Sequence, residues 1–345
     1  MNTHVLLTGG LGFIASHTIE HWLKNTDWDI TVIDSLRHTG RVERLTDMEC
    51  YDPDRVRVLW HDMRSEFHQQ LTYEIGDVDY LVNMASDSHV DRSIKDPVPF
   101  IHNNVMSTVN ALEYAREVRP DMFIQISTDE VYGPAVDPHK HVEWETAMPS
   151  NPYSASKSAQ EQIAFAYWRT YDVPVVITNT MNNFGEKQDM EKYVPMVIRA
   201  LMNGDTITVH AQQNSEGTWV PGSRFWLHAR NHADALMFIM RNVWPDAYGE
   251  DENGDFITVP PRFNIVGDDE VDNLEIVNML ATLMNTDMKW KFVDFHSSRP
   301  GHDMRYALDG TKLANLGWKA PIPMWESMRA TVDWYQANPE WLTYS

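Results

Sequence analysis

The run HVLLTGGLGFIAS, His4 to Ser16, sets an apolar strand-like segment directly against Gly9, Gly10 and Gly12, and then a helix-like stretch. Glycines at such a point let the backbone turn sharply and let a pyrophosphate approach the N–H groups of a helix N-terminus. An ordinary tight turn would look the same in isolation, so position has to decide. The turn follows the first strand, opens a helix, and a second strand-like run, Ile30 to Ile33, ends on Asp34. That lies about 20 residues on, where a dinucleotide-binding βαβ unit places its acidic residue. Asp34 would accept hydrogen bonds from the adenosine ribose and repel a 2′-phosphate, which favours NAD over NADP; Arg37 is the neighbouring cation that speaks for the phosphate. Asp62, ending Val58-Leu59-Trp60-His61, suits either a contact to the adenine amino group or a turn.

Working outward, apolar runs recur at Val56–Leu59, Tyr80–Val82, Phe123–Ile126 and Val173–Ile177, separated mostly by helix-like segments such as Ile14–Leu23, Ile101–Val118 and Ser154–Tyr171. The alternation predicts an α/β fold: a Rossmann-type doubly wound parallel sheet with helices on both faces and a smaller C-terminal substrate-binding lobe. We place the NAD-binding domain at 1–182, with 225–245 returning to it, and the second lobe mainly at 183–345. The lobe carries strand-like pieces at Ile207–Val209, Phe263–Val266 and Trp290–Phe295, and helix-like ones at His232–Val243, Asn273–Met284 and Glu326–Gln336. Trp244 to Arg262, rich in Pro, Gly and acids, reads as an exposed excursion.

Composition excludes several classes. Across 345 residues, 43% hydrophobic and 11% aromatic content excludes a disordered chain, and every apolar run is too short for a bilayer. A formal charge of −22 repels nucleic acid and anionic membranes, so a small anionic ligand needs local cations. The single Cys50 excludes an internal disulfide framework, and no basic-then-apolar leader precedes His4, so a cytoplasmic protein is expected. The histidines, His228 and His232 included, give no metal-ligand spacing, and no metal is expected.

The chemistry concentrates after the fifth strand. STDEVYG, Ser127 to Gly133, ends that strand on two adjacent carboxyls, Asp129 and Glu130: either a polar turn or an acid and a base. Downstream, Tyr153 and Lys157 in NPYSASKS stand four apart on one helix face, where an ammonium can ease a phenol toward ionisation. The alternative is a surface pair.

With these elements in place, the chain resembles the extended short-chain dehydrogenases/reductases. STDEVYG, NPYSASKS, ASDSHVDRSI (Ala85 to Ile94), MNNFG (Met181 to Gly185) and RPGHDMRYALD (Arg299 to Asp309) resemble the dTDP-glucose 4,6-dehydratase subgroup over nearly the whole chain. The resemblance implies a nucleotide-sugar substrate, bound NAD and a homodimer pairing the 101–118 and 154–171 helices. It implies catalytic roles for Thr128, Asp129 (acid), Glu130 (base), Tyr153 and Lys157. Gly9, Gly12, Phe13, Ile14, Asp34, Asp62, Met63 and Ala85, with Tyr153 and Lys157, fall to the cofactor. Asn182, Lys192, Arg224, Asn264 and Arg299 fall to the nucleotide sugar, and their cations supply the local sign reversal.

Departures sit near the substrate. Ala15 replaces a third glycine, and the family's Pro-Tyr-x-Phe-Pro run is lost around Glu186 to Met190. Gln212 to Gly222 reads as a lengthened loop, able to close over a different base. Phe225-Trp226-Leu227-His228 replaces an Asp-Trp-Leu-Tyr pattern, and His210 stands where a thymine-facing Tyr is expected. A 4-epimerase or decarboxylase of the same family, and a silent NAD-binding regulator, are the competing functions.

Overall fold

The computed structural model describes residues 2–37, 39–245, 248–250, 256–298 and 301–343. The six apolar runs are strands: β1 (His4–Thr8), β2 (Asp29–Asp34), β3 (Val56–Trp60), β4 (Tyr80–Asn83), β5 (Met122–Thr128) and β6 (Val175–Thr180). They pair in parallel in the order β3-β2-β1-β4-β5-β6. β7 (Arg262–Ile265) adds a seventh parallel strand outside β6, with Asn264 level with Asn179.

Both faces are covered, which is why these strands read as continuous apolar runs. Alternation along β1 sends Val5 and Leu7 to one face and Leu6 to the other. The first face packs on α1 (Phe13–Asn25), through Ala15, Ile19 and Trp22, and on α4 (Ala229–Asn242), through Leu236, Ile239 and Met240. The second packs on α2 (Pro97–Val118) and α3 (Pro152–Tyr171), through Ala111, Leu112, Ala164 and Trp168. α3 starts where it does because Asn151 caps it. Asn151 Oδ1 accepts the Ser154 N–H at 2.9 Å, Ser154 Oγ receives the Asn151 N–H at 3.2 Å, and Pro152 fills the first position.

Leu227, Leu236, Ile239 and Met240 pack in the main core, whereas Trp226 packs in the second lobe. Phe263 and Ile265 of β7, expected in the second lobe, pack in that core, as do Leu313 and Trp318. The second lobe is built from helices at Tyr193–Asn203, Asn273–Met284 and Met324–Ala337 around Phe184, Val209, Trp226 and Tyr335. Its three-stranded sheet joins Lys289–Asp294, parallel, and Trp219–Pro221, antiparallel, to Thr206–Gln213.

The Gln212–Gly222 expectation is corrected here: the stretch is not a free loop. Gln213 pairs with Trp219 and Ala211 with Pro221, while Asn214 Oδ1 accepts the Glu216 and Thr218 N–H groups across the turn. Those ladder and turn bonds make it a hairpin. The Trp244–Arg262 excursion is partly folded back: Gly249–Glu250 pairs with Phe256–Ile257, and Tyr248 sets its ring edge-on to Trp168 at 5.7 Å. Residues 246–247 and 251–255 lie outside the described residues. Among the described residues no helix is long and apolar enough to cross a membrane.

Candidate active site

The strand order reverses between β1 and β4, so the chain leaves their carboxyl ends in opposite directions and opens a crevice. Thr8 Oγ1 ties the two ends together: it donates to Asn83 Oδ1 at 2.8 Å and accepts the Met84 and Ala85 N–H groups at 3.1 Å each. Gly9, at φ +67°, passes so close to β4 that a Cβ there would lie 2.8 Å from Ala85 Cα. No side chain caps the start of α1 at Gly12. A close-passing glycine turn and a helix start without a side-chain cap form a cradle suited to a pyrophosphate.

A cleft of about 300 Å³ runs from this turn to Tyr153. Every residue assigned to the cofactor lines it, as do the five catalytic candidates and, of the substrate set, Asn182 and Lys192. Asp34 is fixed by the turn itself, its two oxygens accepting the Leu11 N–H at 3.0 Å and the Leu36 N–H at 2.7 Å. Arg37, the cation that could welcome a 2′-phosphate, donates instead to Asn103 Oδ1 at 2.8 Å. Asp62 forms a forked pair with Arg64, whose bonds hold its carboxyl down at about 2. The residues present therefore fit a dinucleotide with a free 2′-hydroxyl.

At the chemical end the two carboxyls are unequal. Asp129 is 3% exposed, and burial, reinforced by Glu130, pushes its carboxyl up to about 7. Its Oδ1 accepts the Thr128 hydroxyl at 2.7 Å and the Glu130 N–H at 3.0 Å, while Oδ2 is buried with no partner. A proton belongs on that second oxygen. Burial raises Glu130 as well, but its Oε2 accepts from Asn151 Nδ2 at 3.2 Å and from the Tyr306 hydroxyl at 3.4 Å. Two donors on one carboxylate favour its ionised form.

Tyr153 enters at the second residue of α3, and burial, then Glu130 and Asp129, raise its phenol. Lys157, one turn on, is 4% exposed; burial lowers its ammonium to about 7 against the opposing pull of Glu161. Its Nζ donates to the Ile126 carbonyl at 2.7 Å. The lysine is thus held from the sheet side, its hydrogen bond going to the strand and not to the phenol.

Of the remaining substrate candidates, Arg224 and Asn264 are not on the cleft wall. Arg224 lies behind the acidic pair, its guanidinium over the Tyr306 ring at 4.6 Å and donating to the Ser223, Met304 and Asp303 carbonyls. From there its charge favours ionisation of both carboxyls. Asn264 is fully buried in β7, where Nδ2 donates to the His141 and Asp309 carbonyls at 3.0 and 3.1 Å. Arg299 lies outside the described residues. Lys192, at the cleft mouth, donates to the Ser88 carbonyl at 3.3 Å. Sequence reasoning missed Asn151 and Tyr306, the two groups that hold Glu130. Both stand inside quoted motifs, NPYSASKS and RPGHDMRYALD, where only contact with Glu130 distinguishes them.

This fold and site define an extended short-chain dehydrogenase/reductase. Residues 6–331 match the family model described as GDP-mannose 4,6 dehydratase. The chain belongs to that family of nucleotide-sugar dehydratases. It is 35% identical over 337 residues to the low-salt glycan biosynthesis protein Agl12 of Haloferax volcanii, covering 97% of this chain and 99% of that one. The dTDP-glucose 4,6-dehydratase of Salmonella typhimurium is 32% identical over 364 residues, covering 98% and 94%. Among solved structures, a double mutant of DesIV, a dTDP-glucose 4,6-dehydratase from Streptomyces venezuelae with NAD bound, superposes with a TM-score of 0.84 at 30% identity over 98% of each chain.

Proposed function

We propose that this enzyme, an NAD-dependent nucleotide-sugar 4,6-dehydratase, converts a glucose-like NDP-hexose to the NDP-4-keto-6-deoxyhexose, with the five cleft residues in distinct roles. The observation that carries the reading is the inequality of Asp129 and Glu130. Asp129, with one oxygen unpartnered, is pushed up to about 7, whereas Glu130, raised by burial as well, is gripped by Asn151 and Tyr306.

NAD in this cleft supplies the acceptor for the C4 hydride and the donor that returns it to C6. Tyr153 takes the O4 proton, with Thr128 hydrogen-bonding that oxygen and Lys157 favouring the phenolate through its charge. Ionised Asp129 and Glu130 both oppose that phenolate, so a neutral Asp129 eases it. Once C4 is a ketone, the C5 hydrogen is acidic and Glu130 removes it. Asp129 then gives its proton to the C6 hydroxyl, which departs as water and leaves a 4-keto-5,6-ene. Glu130 returns a proton to C5 as C6 is reduced, Tyr153 gives up the O4 proton to solvent, and solvent reprotonates Asp129, so that no net proton is gained. Such matched acid and base pairs contribute typically 10²–10⁴-fold each. A 4-epimerase needs no acid at C6, and a silent binding protein needs none of the five.

Incubation with dTDP-, UDP-, CDP- and GDP-hexoses, followed by mass spectrometry, tests the reading. The expected product has lost one water and carries a ketone; a ketone with its C6 hydroxyl retained for every accepted sugar would overturn it.

For the base, we infer use of a UDP-sugar at least as well as the dTDP-sugar. His210, expected in place of a thymine-facing Tyr, offers a smaller ring and sets its edge 6.4 Å from Phe295. Loss of one methyl contact changes discrimination by about 1–3 kcal/mol, so a dTDP preference above about a hundredfold in competition would refute it. The enzyme acts in the cytoplasm as a homodimer through α2 and α3, a reading supported by Val98 at 71% and Ile101 at 46% exposure along α2. Light scattering that finds only monomer at micromolar concentration removes the dimer.

A further inference from the structure

Away from the cleft, two clusters among the described residues bring two imidazoles and a carboxylate together, their donor atoms within 4.8 Å of one another. His17, Glu186 and His228 form the first, beside a second cavity of about 350 Å³ between α1 and the 183–189 loop. His228 Nδ1 accepts the Arg230 N–H at 3.0 Å, so its Nε2 carries the hydrogen that Glu186 Oε2 receives at 2.9 Å. His17 Nε2 lies 2.9 Å from the Glu186 carbonyl, which only accepts, so it too carries hydrogen. A metal ion would have to displace both hydrogens and break a helix cap. This cluster is a hydrogen-bonded pair around a buried carboxylate.

His139, His141 and Glu145 form the second cluster, in the stretch DPHKHVEWE after the acidic pair. His139 Nε2 lies 3.0 Å, and His141 Nδ1 2.7 Å, from the same Glu145 Oε2. Here nothing locks the tautomers against a metal. The His139 side chain is 52% exposed, and His141 Nε2 has no hydrogen-bond partner. The carboxylate is oriented from behind, Oε1 accepting the Val142 N–H at 3.0 Å. Both imidazoles sit on fixed backbone: His141 N donates to Ala307 O at 2.9 Å, Asp309 N to His141 O at 2.8 Å, and Arg305 to His139 O at 2.6 Å. His141 also stacks on Tyr132 at 5.2 Å, with 11° between the rings.

We propose that His139 Nε2, His141 Nδ1 and Glu145 Oε2 bind a divalent transition-metal ion, zinc in the first place, with solvent completing a tetrahedral site. Two imidazoles and a carboxylate suit zinc, whose bonds of about 2.0–2.1 Å set neighbouring donors about 3.3 Å apart. The Glu145 oxygen would stand off by about 0.3 Å from His139 and about 0.6 Å from His141, and the two nitrogens, within 4.8 Å of each other, would come to a similar spacing as the metal replaces two hydrogens. The ion would brace segment 139–145 within itself, and the His141 backbone bonds to Ala307 and Asp309 join that segment to the stretch beside Tyr306, one of the two groups holding Glu130. Its role is to stiffen that side of the cleft, not to touch the sugar.

The test uses the metal itself. Full-length protein stripped with chelator is titrated with zinc chloride by calorimetry, beside His139→Ala, Glu145→Gln and His17→Ala. One zinc per chain is expected, weakened at least tenfold in the first two variants and unchanged in His17→Ala. X-ray absorption at the zinc edge should show two imidazole nitrogens and oxygen. His139 is exposed, so its variant should keep the wild-type circular dichroism and NAD affinity. No saturation by about 1 mM zinc, equal affinity in His139→Ala, or loss of binding in His17→Ala would each overturn the assignment.

Discussion

Asp129→Asn isolates the physical claim beneath the mechanism, that this carboxyl holds its proton inside the fold. Raising it from its ordinary 3.8 to about 7 means that ionising it in the folded protein costs ~4 kcal/mol more than in the unfolded chain. Between those two values the folded state keeps a proton that the unfolded state has released. Its contribution is therefore fully present below about pH 4 and is lost as pH rises through about 7. Asparagine has nearly the same shape and cannot titrate, so the variant should escape that loss. Chemical denaturation of both proteins at about pH 4.5, 6 and 8 reads the difference. The variant should gain on the wild type by ~3 kcal/mol across the series, whatever constant offset the amide introduces. A gap that stays flat with pH, or moves the other way, would refute the protonated-acid reasoning.

Three further outcomes follow from the same geometry. Glu130→Gln should slow entry of solvent deuterium at C5 by about 10²–10⁴-fold, whereas Asp129→Asn should slow water loss more than exchange; small, equal effects on both steps would reject the division of labour. Gly9→Ala puts a Cβ 2.8 Å from Ala85 Cα at φ +67°, so NAD affinity should fall at least tenfold, with ~1–3 kcal/mol of added strain; wild-type affinity by fluorescence titration would contradict the cradle. Glu161→Gln leaves the Arg262 guanidinium, bound at 2.9 Å and 3% exposed, without its charged partner in the core, though still bound to Asn179. Breaking a buried pair costs ~3–5 kcal/mol, so a loss below ~1 kcal/mol in urea denaturation would show that the pair is solvated.

The parts of this fold legible in the sequence were those set by local pattern. Val5, Leu6 and Leu7 beside Gly9 announce a strand buried on two faces and a turn that must approach a neighbour closely. The apolar spacing over Ser154–Tyr171 marks α3, though the Asn151 cap and Pro152 start it two residues earlier than that spacing shows. What the pattern cannot carry is partnership at long separation. Phe263 and Ile265 read equally well in either lobe, because apolar periodicity does not say which sheet a strand joins. The Gln212–Gly222 hairpin hid behind polar residues whose backbone bonds leave no mark on composition. Asn264, read as a ligand contact, spends its amide on two carbonyls drawn to it by the fold. The inequality of Asp129 and Glu130 was equally invisible: it depends on Asn151 and Tyr306, 21 and 176 residues away from Glu130. In the His17–Glu186–His228 cluster the first two members stand 169 residues apart, with no spacing to recognise.

The central claim is that one active site oxidises C4, expels the C6 hydroxyl and returns the same hydride to C6. NDP-glucose carrying deuterium at C4, turned over in ordinary water and followed by NMR of the product, tests it most directly. The account expects a 4-keto-6-deoxy sugar whose C6 methyl carries the deuterium within the same molecule. Deuterium recovered at C4 of an epimerised sugar, or lost to bulk with the C6 hydroxyl intact, would contradict it.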